Sequence, residues 1–130
     1  MLRPRMRGHH ERGAAAVEFA LVVPALLLLL LGIVEFGRAY HVQTVISGAA
    51  REGVRAMALR DDAAEARATA RAAAPQLALA DSQITVTPTT CSGTSPTTAT
   101  VTVTYPVQLL SGLFGADITL TGKGTMRCHG

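Results

Sequence analysis

One carboxylate interrupts an otherwise apolar run. Between Ala14 and Val34 the sequence AAAVEFALVVPALLLLLLGIV carries only Glu18, which stands five positions after a glycine in the stretch Arg12-Gly13-Ala14-Ala15-Ala16-Val17-Glu18-Phe19. An ionised carboxylate inside a membrane helix costs about 2.5 to 3.5 kcal/mol at the helix centre and less near the interface, so it calls for a functional account. A protein partner supplies one. If the bond after Gly13 is cut, Ala14 acquires a free amine, and Glu18 of a neighbouring subunit can pair with it, each charge offsetting the other's desolvation. The competing reading is an uncleaved anchor with Glu18 at the headgroup boundary, where charges near helix ends are held cheaply.

Cys91 and Cys128 form the other pair with chemistry. In an exported domain two cysteines favour one disulfide over two free thiols. In a simple three-stranded meander the outer strands lie roughly 10 Å apart, so such a bridge requires the loop and the tail to curl toward each other. Cys91, Cys128 and His129 lack a CxxC spacing or a fourth ligand, and His9 with His10 falls in a basic segment, so no metal site is expected. Ser47, Ser82, Ser92, Ser95 and Ser111 sit in a stalk, turns and loops with no G-x-S-x-G setting, and His41 beside Tyr40 reads as a membrane-boundary residue. Neither an enzyme nor a cofactor is expected. Aromatic residues make up 4% of the chain and Trp is absent, which leaves little material for a cofactor pocket or a base-stacking platform.

The elements that position these residues follow from periodicity. The apolar run is long enough to cross a hydrocarbon core roughly 30 Å thick, and Pro24 within it is a defect that membrane helices tolerate. A cleaved secretory signal would need small residues after the run, yet Glu35-Phe36-Gly37-Arg38 follows, without an A-x-A pattern. Arg3, Arg5, Arg7 and Arg12 against Glu11 account for the whole formal net charge of +3. The basicity therefore belongs to the N-terminal segment, where it acts as a cytoplasmic retention signal, and nucleic acid is not an expected partner.

Past the run, Val42, Val45, Ile46, Ala49, Gly53, Val54 and Met57 recur at helical spacing, with Gln43, Ser47, Arg51 and Arg55 on another face. The spacing predicts an amphipathic stalk. Asp62 followed by Glu65 has the character of a capping box, so a second helix is expected from Ala63, closed by Pro75, with Arg67 and Arg71 on a solvated face. The pattern then alternates: Ile84 and Val86, then Ala99, Val101, Val103 and Tyr105, then Ile118 and Leu120 share one face, with Thr opposite. Cys91 to Pro96 reads as a loop and Leu109 to Gly115 as an apolar connector. The expected fold is α+β, a small antiparallel sheet laid on a long helix.

At these residues the chain resembles a known family. Gly followed by Glu at the fifth mature position is similar to the processing site of type IV prepilins and pseudopilins. The stretch RGAAAVEFALVVPALLLLLLGIVEFGRAYHVQTVISGAAREGVR more narrowly resembles the TadE-like family of the tight-adherence (Flp-type) pilus, with its VEFALVVP, EFGR and AAREGVR blocks in order. The tail TVTVTYPVQLLSGLF…ITLTGKGTMR is similar more loosely. The resemblance implies a minor pseudopilin or assembly protein, with Gly13 before the bond cut by a prepilin peptidase, Ala14 as the new terminus and Glu18 as the assembly carboxylate. Many type IV pilins begin with Phe after cleavage, whereas this chain would begin with Ala14.

The expected organisation is a basic leader over residues 1–13, a transmembrane helix over 14–37 ending in the boundary motif Glu35-Phe36-Gly37-Arg38, a helical stalk over 38–75, and a β-rich domain over 76–130. The expected setting is the bacterial inner membrane, crossed once with the N-terminus cytoplasmic. Arg38, Arg51 and Arg55 beyond the span oppose that orientation, while cysteine usage favours it. The expected partners are the lipid bilayer, the peptidase, other pilin-like subunits and pilus assembly proteins. An uncleaved assembly factor of the same apparatus and a secreted soluble protein or small hydrolase are the alternatives.

Overall fold

The computed structural model describes residues 8–93, 98–109 and 117–128, with side chains from His10 onward. The early leader arginines, the side chain of His9, the loop residues 94–97 with Ser95, the connector residues 110–116 with Ser111, and His129 lie outside the described part of the chain. The chain divides into two units, Met1–Phe36 and Gly37–Gly130. One helix, α1 (Gly8–Arg60), contributes to both.

Between Ala14 and Val34 α1 is apolar around its circumference except at Glu18. Val17, Phe19, Leu21, Leu28 and Ile33 are each more than 60% exposed. A helix with no polar face finds no stable setting in water, and its length and composition suffice to cross a membrane. Leu and Ala are strong helix formers, and the helix runs uninterrupted past Pro24.

The second unit is α+β. Two residues separate the end of α1 from α2 (Ala63–Ala73). Asp61 terminates α1 with a left-handed φ of 52°, a conformation that Asp adopts more readily than most side chains. Asp62 then caps α2, its carboxylate accepting from the amides of Ala64 (2.9 Å) and Glu65 (3.2 Å). Only half of the expected capping box forms, because Glu65 turns outward to pair with Arg60. Two short 3-10 turns, Pro75–Leu77 and Asp81–Gln83, lead to the strands β1 (Ile84–Thr87), β2 (Thr98–Gln108) and β3 (Asp117–Arg127). The sheet has the order β1-β2-β3 and is antiparallel throughout.

Alternation along the strands buries Ile84, Val86, Ala99, Val101, Val103 and Val107 against Ile46, Val54, Met57, Ala66 and Ala70, while the threonines face outward or lie half-buried. Arg67 donates to the Ile84 carbonyl (3.4 Å) and Arg71 pairs with Asp81, so both arginines tie α2 to the chain entering the sheet rather than only facing solvent. On β3 the pattern departs from expectation: Ile118 is 43% exposed, and the buried positions are Gly122 and Gly124. A Cβ on Gly122 would lie 2.7 Å from the carbonyl of Ile46, and one on Gly124 2.7 Å from the Ala50 oxygen. Here α1 and β3 touch backbone to backbone, which only glycine permits.

Candidate functional site

The Arg12–Phe19 segment lies wholly within α1. The Gly13–Ala14 peptide is therefore helical, and there is open space where a Gly13 side chain would stand. Gly within a helix weakens it by about 0.5 to 1 kcal/mol relative to Ala, so this turn is the easiest part of the segment to unwind into an extended substrate. Glu18, one turn on from Ala14, is exposed and has no hydrogen bond or ion pair among the described residues. Gly13, Ala14 and Glu18 thus share one accessible stretch of helix, and a counter-charge for Glu18 must come from outside the described chain.

Glu35 behaves differently. It is 8% exposed, and both of its carboxylate oxygens lack a hydrogen-bond partner among the described residues. Burial without a partner makes a carboxylate costly. Its place seven residues before Val42 puts it on the helical stripe that Val42, Ile46 and Ala49 continue, although its charge argues for exposure. Arg38, one turn after Val34, donates to the backbone oxygen of Gln108 (3.2 Å), fastening the helix to the end of β2. Gln43, a further turn along, donates to the Thr121 carbonyl (2.9 Å) and does the same for β3.

Cys91 and Cys128 are joined by a disulfide, with Cα atoms 5.6 Å apart. Their strands flank β2, so the bond depends on the curl of the loop. Asp61 supplies part of that curl, its carboxylate accepting from the Cys91 amide. The same residue therefore ends α1 and anchors the disulfide loop, a link across 30 positions that local pattern does not reveal. Among the described residues no three His, Cys, Asp or Glu side chains gather to hold a metal ion.

Among known families, the model described as TadE-like protein matches residues 13–55. The match starts at Gly13, takes in the apolar run and the Glu35–Arg38 block, and ends before α2 and the sheet. It agrees with the resemblance read from the sequence and associates this part of the chain with membrane proteins of the tight-adherence pilus. No curated protein and no solved structure gives a significant match.

Proposed function

We propose that this chain is a minor pseudopilin of a tight-adherence pilus or related secretion apparatus, held in the inner membrane by α1 with its β-rich unit outside, and cut after Gly13 by a prepilin peptidase. The observation that carries the reading is the coincidence of the TadE-like match over residues 13–55 with a helix whose Ala14–Val34 run is apolar on every side but for Glu18. In the cleaved subunit Glu18 meets the Ala14 amine of a neighbour as helices pack, and other pilin-like subunits are its partners. No step in this role needs a catalytic group.

N-terminal and intact mass of the membrane-extracted protein test the cleavage. A start at Ala14 is expected, and conversion of a Gly13→Leu chain to the same shorter form at the normal rate refutes the assigned bond. A Glu18→Leu chain should still insert and still be cut, yet fail to crosslink with pilin-like subunits. Wild-type crosslinking and pilus output from that variant refute the pairing.

One observation favours a second reading, an uncleaved assembly factor. The Gly13–Ala14 peptide lies inside continuous helix that begins at Gly8, so it is not presented as an extended substrate. An intact leader in the mass measurement supports that reading.

A further inference from the structure

A cleft of about 360 Å³ in the second unit is lined by Arg38, Tyr105, Pro106, Gln108 and Asp117. It brings two opposite charges together without pairing them: among the described residues the ion pairs are Arg60 with Glu65 and Arg71 with Asp81. Arg38 spends one donor on the Gln108 carbonyl, which orients its guanidinium and leaves the remaining N–H groups for a ligand. Asp117 opens β3, opposite Gln108 in the strand register, and its carboxylate has no partner among the described residues. The half-buried ring of Tyr105 and the exposed Pro106 give the cleft an apolar wall. Arg38 follows Val34 by one helical turn, so it stands where α1 leaves the apolar run.

We infer that this cleft is a headgroup site for a zwitterionic phospholipid of the phosphoethanolamine class, the phosphate on the Arg38 guanidinium and the primary ammonium on the Asp117 carboxylate. A guanidinium presents a fork of donors that suits phosphate oxygens. A carboxylate in the same cleft selects a ligand carrying its own cation and disfavours a purely anionic headgroup. The chemistry is complementary at both ends, and Arg38 follows the end of the apolar run by four residues in sequence. The inference rests on the membrane-inserted reading of α1.

The test uses the full chain in nanodiscs containing equal amounts of phosphatidylethanolamine, phosphatidylcholine and phosphatidylglycerol, with co-purifying lipids counted by native mass spectrometry. Phosphatidylethanolamine should be retained about five-fold over phosphatidylcholine, whose quaternary ammonium cannot donate a hydrogen bond, a ratio set by the modest worth of an exposed ion pair. Asp117→Asn should abolish that preference, and Arg38→Gln should lose all three lipids while Arg38→Lys retains part. Equal retention by the wild type, or an unchanged preference in Asp117→Asn, overturns the site.

Carbonate washing of membranes and titration of the micelle-bound chain with glycerophosphoethanolamine or inorganic phosphate separate the two readings. Extraction by carbonate with glycerophosphoethanolamine still binding overturns the lipid source and the insertion together, while supporting the chemistry of the cleft. A carbonate-resistant chain that binds neither glycerophosphoethanolamine nor lipid overturns the site and leaves insertion standing. Equal binding of inorganic phosphate and glycerophosphoethanolamine overturns the role of Asp117.

Discussion

Replacing Gly122 by Ala puts a methyl group against the backbone of α1. The added Cβ would sit 2.7 Å from both the carbonyl carbon and oxygen of Ile46 and 2.8 Å from the Ser47 amide nitrogen. These atoms belong to a helix that cannot yield locally, so helix and strand must separate by a few tenths of an ångström or more. Overpacking of this kind costs about 1 to 3 kcal/mol. The substitution also restricts the unfolded chain, which returns about 0.4 to 1 kcal/mol, so the mid-range values leave a net loss of about 1.3 kcal/mol. In a domain of this size that lowers Tm by roughly 5 to 10 °C. Thermal unfolding of the full chain in detergent, followed by circular dichroism, reads the shift. Gly48→Ala is the control, because that glycine lies on the same helix with nothing within 4 Å of the added Cβ. It should be neutral or stabilising by up to about 1 kcal/mol. An unchanged Tm for Gly122→Ala, or equal shifts for both variants, would refute the backbone contact between α1 and β3.

Gly124→Ala should behave like Gly122→Ala, and a double variant should lose less than the sum of the two, since one displacement of the helix relieves both overlaps. Reduction of the Cys91–Cys128 bond, which spans 37 positions, should cost up to about 4 kcal/mol, seen as a lower Tm in reductant; alkylation of both thiols before reduction would show that the bond is not formed. Asp62→Ala removes the acceptor for the first amides of α2 and should cost about 1 kcal/mol by chemical denaturation, with Asp62→Asn losing less. Glu35→Leu should raise Tm, because an apolar side chain replaces a buried carboxylate with no partner among the described residues; a fall in Tm would mean that the carboxylate has a counter-charge.

Much of the second unit was legible because its signals are local. The buried positions Val42, Ile46, Ala49, Gly53, Val54 and Met57 follow helical spacing, and Ile84, Val86, Ala99, Val101 and Val103 follow strand alternation. Asp62 marks the start of α2 by its own side chain. The contact of α1 with β3 was not legible, since apolar patterning counts side chains and this contact is made by their absence. Pattern singles out Ile118 and Leu120, whereas close approach selects the glycines that follow on the same face. Arg67, Arg71 and Asp61 were equally hidden, because their partners lie 17, 10 and 30 positions away and only the folded chain brings them together. At the other end the types and spacing of Gly13, Ala14 and Glu18 were plain from sequence, while their use depends on other molecules.

Glu18 and Glu35, the carboxylates within and just after the apolar run, make unequal demands on those other molecules. Glu18 and Glu35 are separated by about 25 Å along the helix at 1.5 Å per residue, somewhat less than a hydrocarbon core about 30 Å thick. A helix standing upright therefore cannot keep both groups clear of the core, and a carboxylate on a short side chain has little reach toward the interface. Glu35 is nine-tenths covered by protein, so its cost falls on the stability of the chain itself, where the Glu35→Leu variant reads it. Glu18 is open to whatever surrounds the helix and has no partner among the described residues. If the helix settles with Glu35 at the outer boundary, Glu18 is the group left a few ångströms inside lipid, and the relief available to it is a cation carried by a neighbouring helix. Under the proposed function, that asymmetry favours Glu18 over Glu35 as the group that joins subunits. It also requires Glu18→Leu to lose assembly while keeping insertion, and Glu35→Leu to keep both.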